Sequence, residues 1–361
     1  MPQSVEPARL PPWNIPASNS IVRVSVIDTT TRVKGLPTSL FFVPVIGSYE
    51  VVECPAFGFL IEHEPSGKKL LFDLGVPKNW RNGPPVITNR IIGNKWQVDV
   101  EKDVSDILAE NGVPLESINS IIWSHYHWDH TGDPSVFPST TSLTVGPGFI
   151  KAMTPGYPTN PDAHILESAY KGRDLVEISF DNKSELLLGR FQAVDYFGDG
   201  SFYLVNAPGH AVGHICGLAR TTPDTFVFMG GDICHHAGQI RPTQYLPLPE
   251  HISPNPFKAR GPPCPGSILL SAHPHGTATT PFYRVASGGY YDDAEESQKT
   301  LGKLEELDGH PNILTIIAHD DTLLDILDFY PKTINDWRAK GYKEQGMWQF
   351  VRDFRDAIKP E

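Results

Sequence analysis

Three imidazoles and a carboxylate fall within the six residues His125-Tyr126-His127-Trp128-Asp129-His130, directly after an apolar run at 118–123. Neutral imidazole nitrogen and carboxylate oxygen suit zinc or another borderline divalent cation, and no thiol lies close enough in sequence to suggest a Cys-type structural site. One ion can take His125 and His127, while Asp129 and His130, further along the same loop, face a second. Both ions still lack ligands, so the pattern requires more His or Asp at later strand ends. They are present: His210 follows the apolar run 202–206, Asp232 follows 225–229, and His319 follows 313–317. The candidate ligand set is therefore His125, His127, Asp129, His130, His210, Asp232 and His319, arranged for two divalent cations.

Other side chains compete for roles nearby. His214 reads as an orienting group rather than a ligand. His235 and His236 adjoin Asp232 and are candidates to line a substrate pocket, whereas His273 and His275 read more readily as structural or solvated. Cys216 and Cys234 read as small buried apolar residues. Trp80, Trp96 and Trp128 are candidates to wall an apolar pocket.

A rigid scaffold has to aim these residues. Apolar and β-branched runs at 22–27, 40–45, 57–61 and 69–72 predict strands, the last two forming a hairpin around Pro65-Ser66-Gly67. Further strands are predicted at 118–123, 143–145, 186–194 and 202–206, then a hairpin of 215–220 with 225–229, and a buried strand at 313–317. Helices are predicted at 104–110, stopped by Asn111-Gly112, at 292–307, and as a closing amphipathic segment at 345–358. Residues 1–20 are polar and Pro-rich and read as an arm. Residues 21–361 read as a single domain with irregular insertions near 76–98 and 238–267, the second of them Pro-dense. Strands and helices alternate on both sides of a centre near residue 200, which suggests an α/β fold: two β-sheets face to face with helices outside, an αββα sandwich.

Composition limits the partners. The 361 residues carry 30 basic and 42 acidic side chains, a net charge of -12, and no basic run longer than pairs such as Lys68-Lys69. Nucleic acid and anionic membrane surfaces are therefore excluded as expected partners, and a small-molecule substrate fits better. Four cysteines without CxxC spacing, no apolar leader and no stretch near 18 uninterrupted apolar residues predict a cytoplasmic protein.

The motif order HxHxDH at 125–130, PGHxxGH at 208–214, GGD at 230–232 and AHD at 318–320 resembles the metallo-β-lactamase superfamily, with Asp73 and Gly75 resembling its early strand-end motif. The pattern is most similar to the acyl-homoserine lactonase branch. That resemblance implies an αββα sandwich with two mixed sheets. It also implies that His125, His127 and His210 hold one metal, that Asp129, His130 and His319 hold the other, and that Asp232 bridges. The lactonases carry tyrosine three residues after the bridging aspartate, where this chain has His235, so His235 is expected to handle the substrate carbonyl in its own way. The expected activity is hydrolysis of a small cyclic ester or amide by a metal-bridging hydroxide, with Asp129 and His235 as catalytic side chains and Asp129 carrying a proton to the leaving group. Alternatives are a lactamase or cyclic-carbamate hydrolase that detoxifies a xenobiotic, and a glyoxalase II-like thioesterase, which would call for a basic patch. A non-catalytic binding module on the same fold is the weakest reading.

Overall fold

The computed structural model describes residues 5–180, 186–258, 260–288 and 290–358; the first four residues of the expected arm lie outside them. One sheet has six strands in sequential order: Arg23–Asp28 (β1), Phe57–His63 (β2), Lys68–Phe72 (β3), Ile118–Ile122 (β4), Ser142–Val145 (β5) and Leu175–Glu177 (β6). The pairs β1–β2 and β2–β3 are antiparallel, and those from β3 to β6 are parallel. The second sheet also has six strands in sequential order: Leu187–Leu188 (β7), Phe191–Asp195 (β8), Phe202–Asn206 (β9), Ile215–Thr222 (β10), Thr225–Met229 (β11) and Ile313–Ile316 (β12). It is antiparallel as far as β11, and β12 joins it in parallel.

Alternation along the strands builds the layers. Phe57, Phe59 and Ile61 of β2 point into a core shared with Phe202 and Leu204 of β9, while the intervening Leu60 points to the opposite face. Of the helices, three matter for the argument: Pro85–Gly93 (α1), Val104–Glu110 (α2) and Ala294–Asp308 (α3). Val104 and Leu108 of α2 cover the outer face of the first sheet against Leu60 and Ile121. Leu301, Leu304 and Leu307 of α3, spaced for one helical face, cover the second sheet against Leu218 and Phe228. The αββα sandwich with two mixed sheets is the observed architecture.

Several local expectations change. Segment 76–98 is not an irregular loop: it contains α1, a 3-10 turn at Trp80–Asn82 and the strand Gln97–Asp99 paired to Arg32–Pro37. Pro85 opens α1 at no hydrogen-bonding cost, and burial of only Ile87, Thr88 and Ile91 leaves too short an apolar period to read from the sequence. The run 40–45 pairs only at Phe42–Val43, and 186–194 is two strands broken by a turn in which Gly189 adopts φ 57°. The closing segment buries Phe350, Val351 and Phe354 as its amphipathic pattern requires, but it is a short helix, Tyr342–Gly346, followed by a 3-10 stretch, Gln349–Ala357. Trp348 leaves the helical conformation between them at φ -116° and is itself buried in the same cluster. That cluster also gathers Ile87, Trp96, Leu248 and Ile252, so both insertions and the C-terminal segment pack as one layer. The described part of the arm lies on the surface, held where Trp13 meets Phe226 edge-on at 5.0 Å and stacks on His310 at 5.5 Å. Among the described residues no helix is long and apolar enough to cross a membrane.

Candidate metal centre

Five strand ends deliver the site. Asp73 follows β3, Ser124 to His130 follow β4, His210 follows β9, Asp232 follows β11 and His319 follows β12. Asp73 sits at φ 57°, a conformation that costs a non-glycine residue on the order of 1–3 kcal/mol and persists where the surroundings enforce it. Its carboxylate accepts from the Ser124 backbone N–H (2.7 Å), the Ser124 hydroxyl (2.7 Å) and His130 Nδ1 (2.8 Å), which fixes the start of the HxHxDH loop.

The outer ring nitrogens determine which inner ones are free. His130 Nδ1–H donates to Asp73, His319 Nδ1–H donates to the Pro55 carbonyl (2.7 Å), and His125 Nδ1 lies 3.0 Å from Ser124 Oγ. In its neutral form each ring then turns an unprotonated Nε2 inward. His127 Nδ1 and His210 Nε2 stand 2.9 Å apart. The Asp232 carboxylate lies between two groups: Oδ2 is 3.3 Å from His210 Nε2 and 3.7 Å from His125 Nε2, while Oδ1 is 3.0 Å from both His130 Nε2 and His319 Nε2. Asp129 Oδ2 joins the second group 3.5 Å from His319 Nε2. In consequence, the ligand atoms of His125, His127, His210 and Asp232 all fall within 4.8 Å of one another, as do those of Asp129, His130 and His319.

This arrangement suits cations. His125 Nε2, His130 Nε2 and Asp232 Oδ1 are buried and have no hydrogen-bond partner, which is costly unless something positive stands between them. Burial drives His125 and His127 well below the usual imidazole range, so they are neutral donors. Burial also disfavours charge on His130, yet Asp232 and Asp73 overcome it and raise its pKa to about 10, and His319 is raised for the same reason by Asp232. The carboxylates call for positive charge at this spot.

The remaining candidates separate. His214 donates from Nδ1 to the Ala207 carbonyl (3.0 Å) and accepts the Asp232 backbone N–H at Nε2 (3.1 Å), so it orients the aspartate and has no nitrogen left for a metal. His235 reaches the site: its Nε2 is 3.1 Å from Asp232 Oδ2. His236 does not; it is bound to Asp353 at 3.1 Å and packs among Phe42, Tyr283 and Phe354. His273 binds the Thr280 carbonyl, away from the centre. All four cysteines are free and buried, and Cys54 lies in the cavity wall.

A narrow cavity opens over the centre, lined by five of the seven side chains, His127, Asp129, His210, Asp232 and His319, with about 30 Å³ available to the centre of a water-sized sphere. Trp96 and Trp128 wall it, as expected, together with Phe41, Tyr126 and Tyr290. Trp80 instead faces a neighbouring cavity that shares Ile87, Trp128 and His164 with the first. Insertion 76–98 contributes Ile87, Arg90 and Trp96, but no described residue of 238–267 reaches the cavity; that segment supports the wall from behind. Arg90, Tyr290 and Phe41 belong to no motif, which is why the sequence did not single them out.

The loop carrying His210 is clamped by the start of α3. Asp292 N–H donates to the His210 carbonyl (3.1 Å) and Asp293 N–H to the Gly209 carbonyl (2.9 Å). Gly209 takes φ +124°, and a Cβ there would lie 2.2 Å from Ser297 N. Gly209→Ala is therefore expected to destabilise the fold by roughly 2–3 kcal/mol through backbone strain and to displace His210, seen as a lower urea midpoint and lower metal content.

Comparison with known proteins agrees with this geometry. A model described as the metallo-beta-lactamase superfamily matches residues 52–230. Gamma-lactamase FDB1 of Fusarium pseudograminearum is 45% identical over 351 residues, which span 95% of this chain and 85% of that protein. Cytochrome P450 monooxygenase mpaDE of Penicillium roqueforti is 43% identical over 362 residues, spanning 98% of this chain but only 40% of that protein's length. Among solved structures, an AiiA variant of B. thuringiensis with N-decanoyl-L-homoserine at its active site aligns with a TM-score of 0.57 at 16% identity, covering 87% of this chain and 100% of that one. With its motifs, its two sheets and its strand-end ligand groups in agreement, the chain belongs to the metallo-β-lactamase superfamily.

Proposed function

We propose that this protein is a metal-dependent hydrolase that opens a compact cyclic amide or ester. The observation that carries the reading is the position of the Asp232 carboxylate, with one oxygen toward His125 and His210 and the other 3.0 Å from His130 and His319. In this reading His125, His127 and His210 hold one divalent cation, Asp129, His130 and His319 hold a second, and Asp232 serves both. Such a pair of ions, zinc by the character of the donors, supplies Lewis acidity toward a carbonyl oxygen and a water acidified to near-neutral pKa. The protein supplies the rest. The aromatic walls exclude bulk water from the reacting carbonyl. Asp129, which lines the cavity and lies 3.5 Å from His319, is placed to pass a proton to the departing ring atom. Arg90 is the sole Lys or Arg lining the cavity among the described residues, and it favours retention of the carboxylate product.

The gamma-lactamase relative supports a ring amide as substrate, and the narrow, aromatic-walled cavity favours a compact ring over a long acyl chain. The same reading takes residues 21–361 as one hydrolase domain. Its buried, unpaired cysteines support residence in a reducing compartment such as the cytoplasm, where the enzyme would clear a toxic lactam or lactone. The decisive experiment is a screen of the zinc-loaded protein against lactams, lactones, cyclic carbamates and thioesters, read by product mass. Compact ring amides and esters are expected to open with kcat/KM at least about tenfold above that for long-chain acyl-homoserine lactones. Hydrolysis of thioesters alone, or a preference for the long-chain lactones, would overturn the assignment.

A further inference from the structure

His235 is tied into a buried chain of polar groups that the metal groups do not use. Its backbone N–H donates to Gln239 Oε1 (2.8 Å), and its ring stacks on Phe41 with centroids 4.4 Å apart. One ring nitrogen, Nε2, is 3.1 Å from Asp232 Oδ2; the other, Nδ1, is 3.0 Å from the Tyr291 hydroxyl. That hydroxyl is also 2.9 Å from the Phe41 carbonyl, which already accepts the Ala286 N–H at 3.1 Å. Asp232, His235 and Tyr291 are 3%, 5% and 9% exposed, so the chain is largely shielded from bulk solvent.

The protons can be counted. Tyr291 has a single hydroxyl hydrogen and two acceptors within reach, Phe41 O and His235 Nδ1. If the hydrogen goes to Phe41, Nδ1 must carry the ring proton, and the bare lone pair of Nε2 then faces a carboxylate oxygen at 3.1 Å. If it goes to Nδ1, Nε2–H donates to Asp232 Oδ2, and the Phe41 carbonyl keeps its bond from Ala286. Each order leaves one pair of acceptors facing: in the first the Nε2 lone pair meets the charged Asp232 oxygen, and in the second the Tyr291 oxygen meets the neutral Phe41 carbonyl, whose bond from Ala286 is intact, so the second costs less in a dry site.

We propose that Tyr291 is a positioning residue for Asp232, acting through His235, which it holds in the tautomer that donates Nε2–H to the shared carboxylate. His235 is then a support for the metal-facing aspartate rather than a contact to the substrate carbonyl. The chain runs from the residue preceding the Asp292 and Asp293 clamp on the His210 loop, so one short segment steadies two of the ligands. This inference rests on the metal-centre reading, and its test keeps the two separate.

The apo protein would be titrated with Zn²⁺ in competition with a chelating dye. Wild type would be compared with Tyr291→Phe, His235→Gln and His235→Leu, with the thermal midpoint of each apo protein measured alongside. Tyr291→Phe removes only the hydroxyl and is expected to weaken Zn²⁺ binding by roughly 10–100-fold, the usual cost of losing a partner that orients a ligand. His235→Gln, which keeps an N–H able to reach Asp232, is expected to retain affinity better than His235→Leu. A Co²⁺-loaded Tyr291→Phe protein should also show altered d–d absorption. A lower apo midpoint with unchanged Zn²⁺ affinity in Tyr291→Phe would mean a merely structural role, and equal losses in the Gln and Leu variants would rule out the donated hydrogen bond. Wild-type protein that bound no Zn²⁺ tightly would instead overturn the metal-centre reading itself.

Discussion

Asp232→Asn is expected to lower kcat/KM by about a thousandfold or more, the scale on which loss of one preorganised electrostatic group acts, and to reduce bound metal below two ions per chain. The substitution preserves shape but removes a charge and turns one oxygen into an N–H₂ donor. In the native site one oxygen faces His210 and His125 and the other faces His130 and His319. Whichever way the amide is turned, one of the two groups loses its shared acceptor. His214→Asn provides the contrast. His214 touches Asp232 only at the backbone, accepting its N–H at 3.1 Å, so its loss leaves a buried donor unpaired at a cost of about 1–3 kcal/mol in stability. Turnover there should fall by tenfold or less. Steady-state kinetics with elemental analysis on both variants decides the matter: near-normal turnover and metal content in Asp232→Asn would remove that residue from the centre.

The candidate metal centre was legible because its information is local. Each ligand sits immediately after an apolar strand, so a run such as 118–123 followed by His125 to His130 states both the scaffold and the chemistry within a dozen residues. The order of those runs along the chain is also the order of strands within each sheet, which kept the topology simple enough to anticipate. What escaped notice depends on contacts between distant segments. Tyr291 lies 56 positions from the histidine it supports, and nothing in its surroundings marks it. Pro85–Gly93 escaped as a helix because most of its residues remain partly exposed and its buried positions are too few to set a period. Because that helix supplies Ile87 and Arg90 to the cavity, part of the cavity wall was the part least visible in the sequence. The other insertion, the Pro-dense 238–267, lines none of that cavity with its described residues. Its apolar residues, Leu248 and Ile252 among them, are instead spent on the supporting layer.

Removing metal is expected to abolish turnover entirely while leaving the chain folded, with the thermal midpoint lower by roughly 5 °C or more and both properties regained on adding Zn²⁺. Seven N and O ligands exceed what one tetrahedral ion can use, so full recovery should require about two equivalents. The loss of stability follows from linkage, because ions bind the native site and the unfolded chain cannot assemble it; at a hundredfold excess over Kd this is worth about 2.7 kcal/mol. Survival of the fold follows from the same electrostatics that favour the ions. With the cations gone, Asp232 and Asp73 still hold His130 at a pKa of about 10, so that ring can take up a proton and neutralise part of the buried negative charge. The sandwich core between Phe59 and Leu204 contains none of the centre's ligands and should persist. Circular dichroism of the chelated protein, a thermal scan and stepwise reconstitution test each part. Full activity restored by a single equivalent, with no gain from a second, would mean that Asp129, His130 and His319 do not form a working metal site.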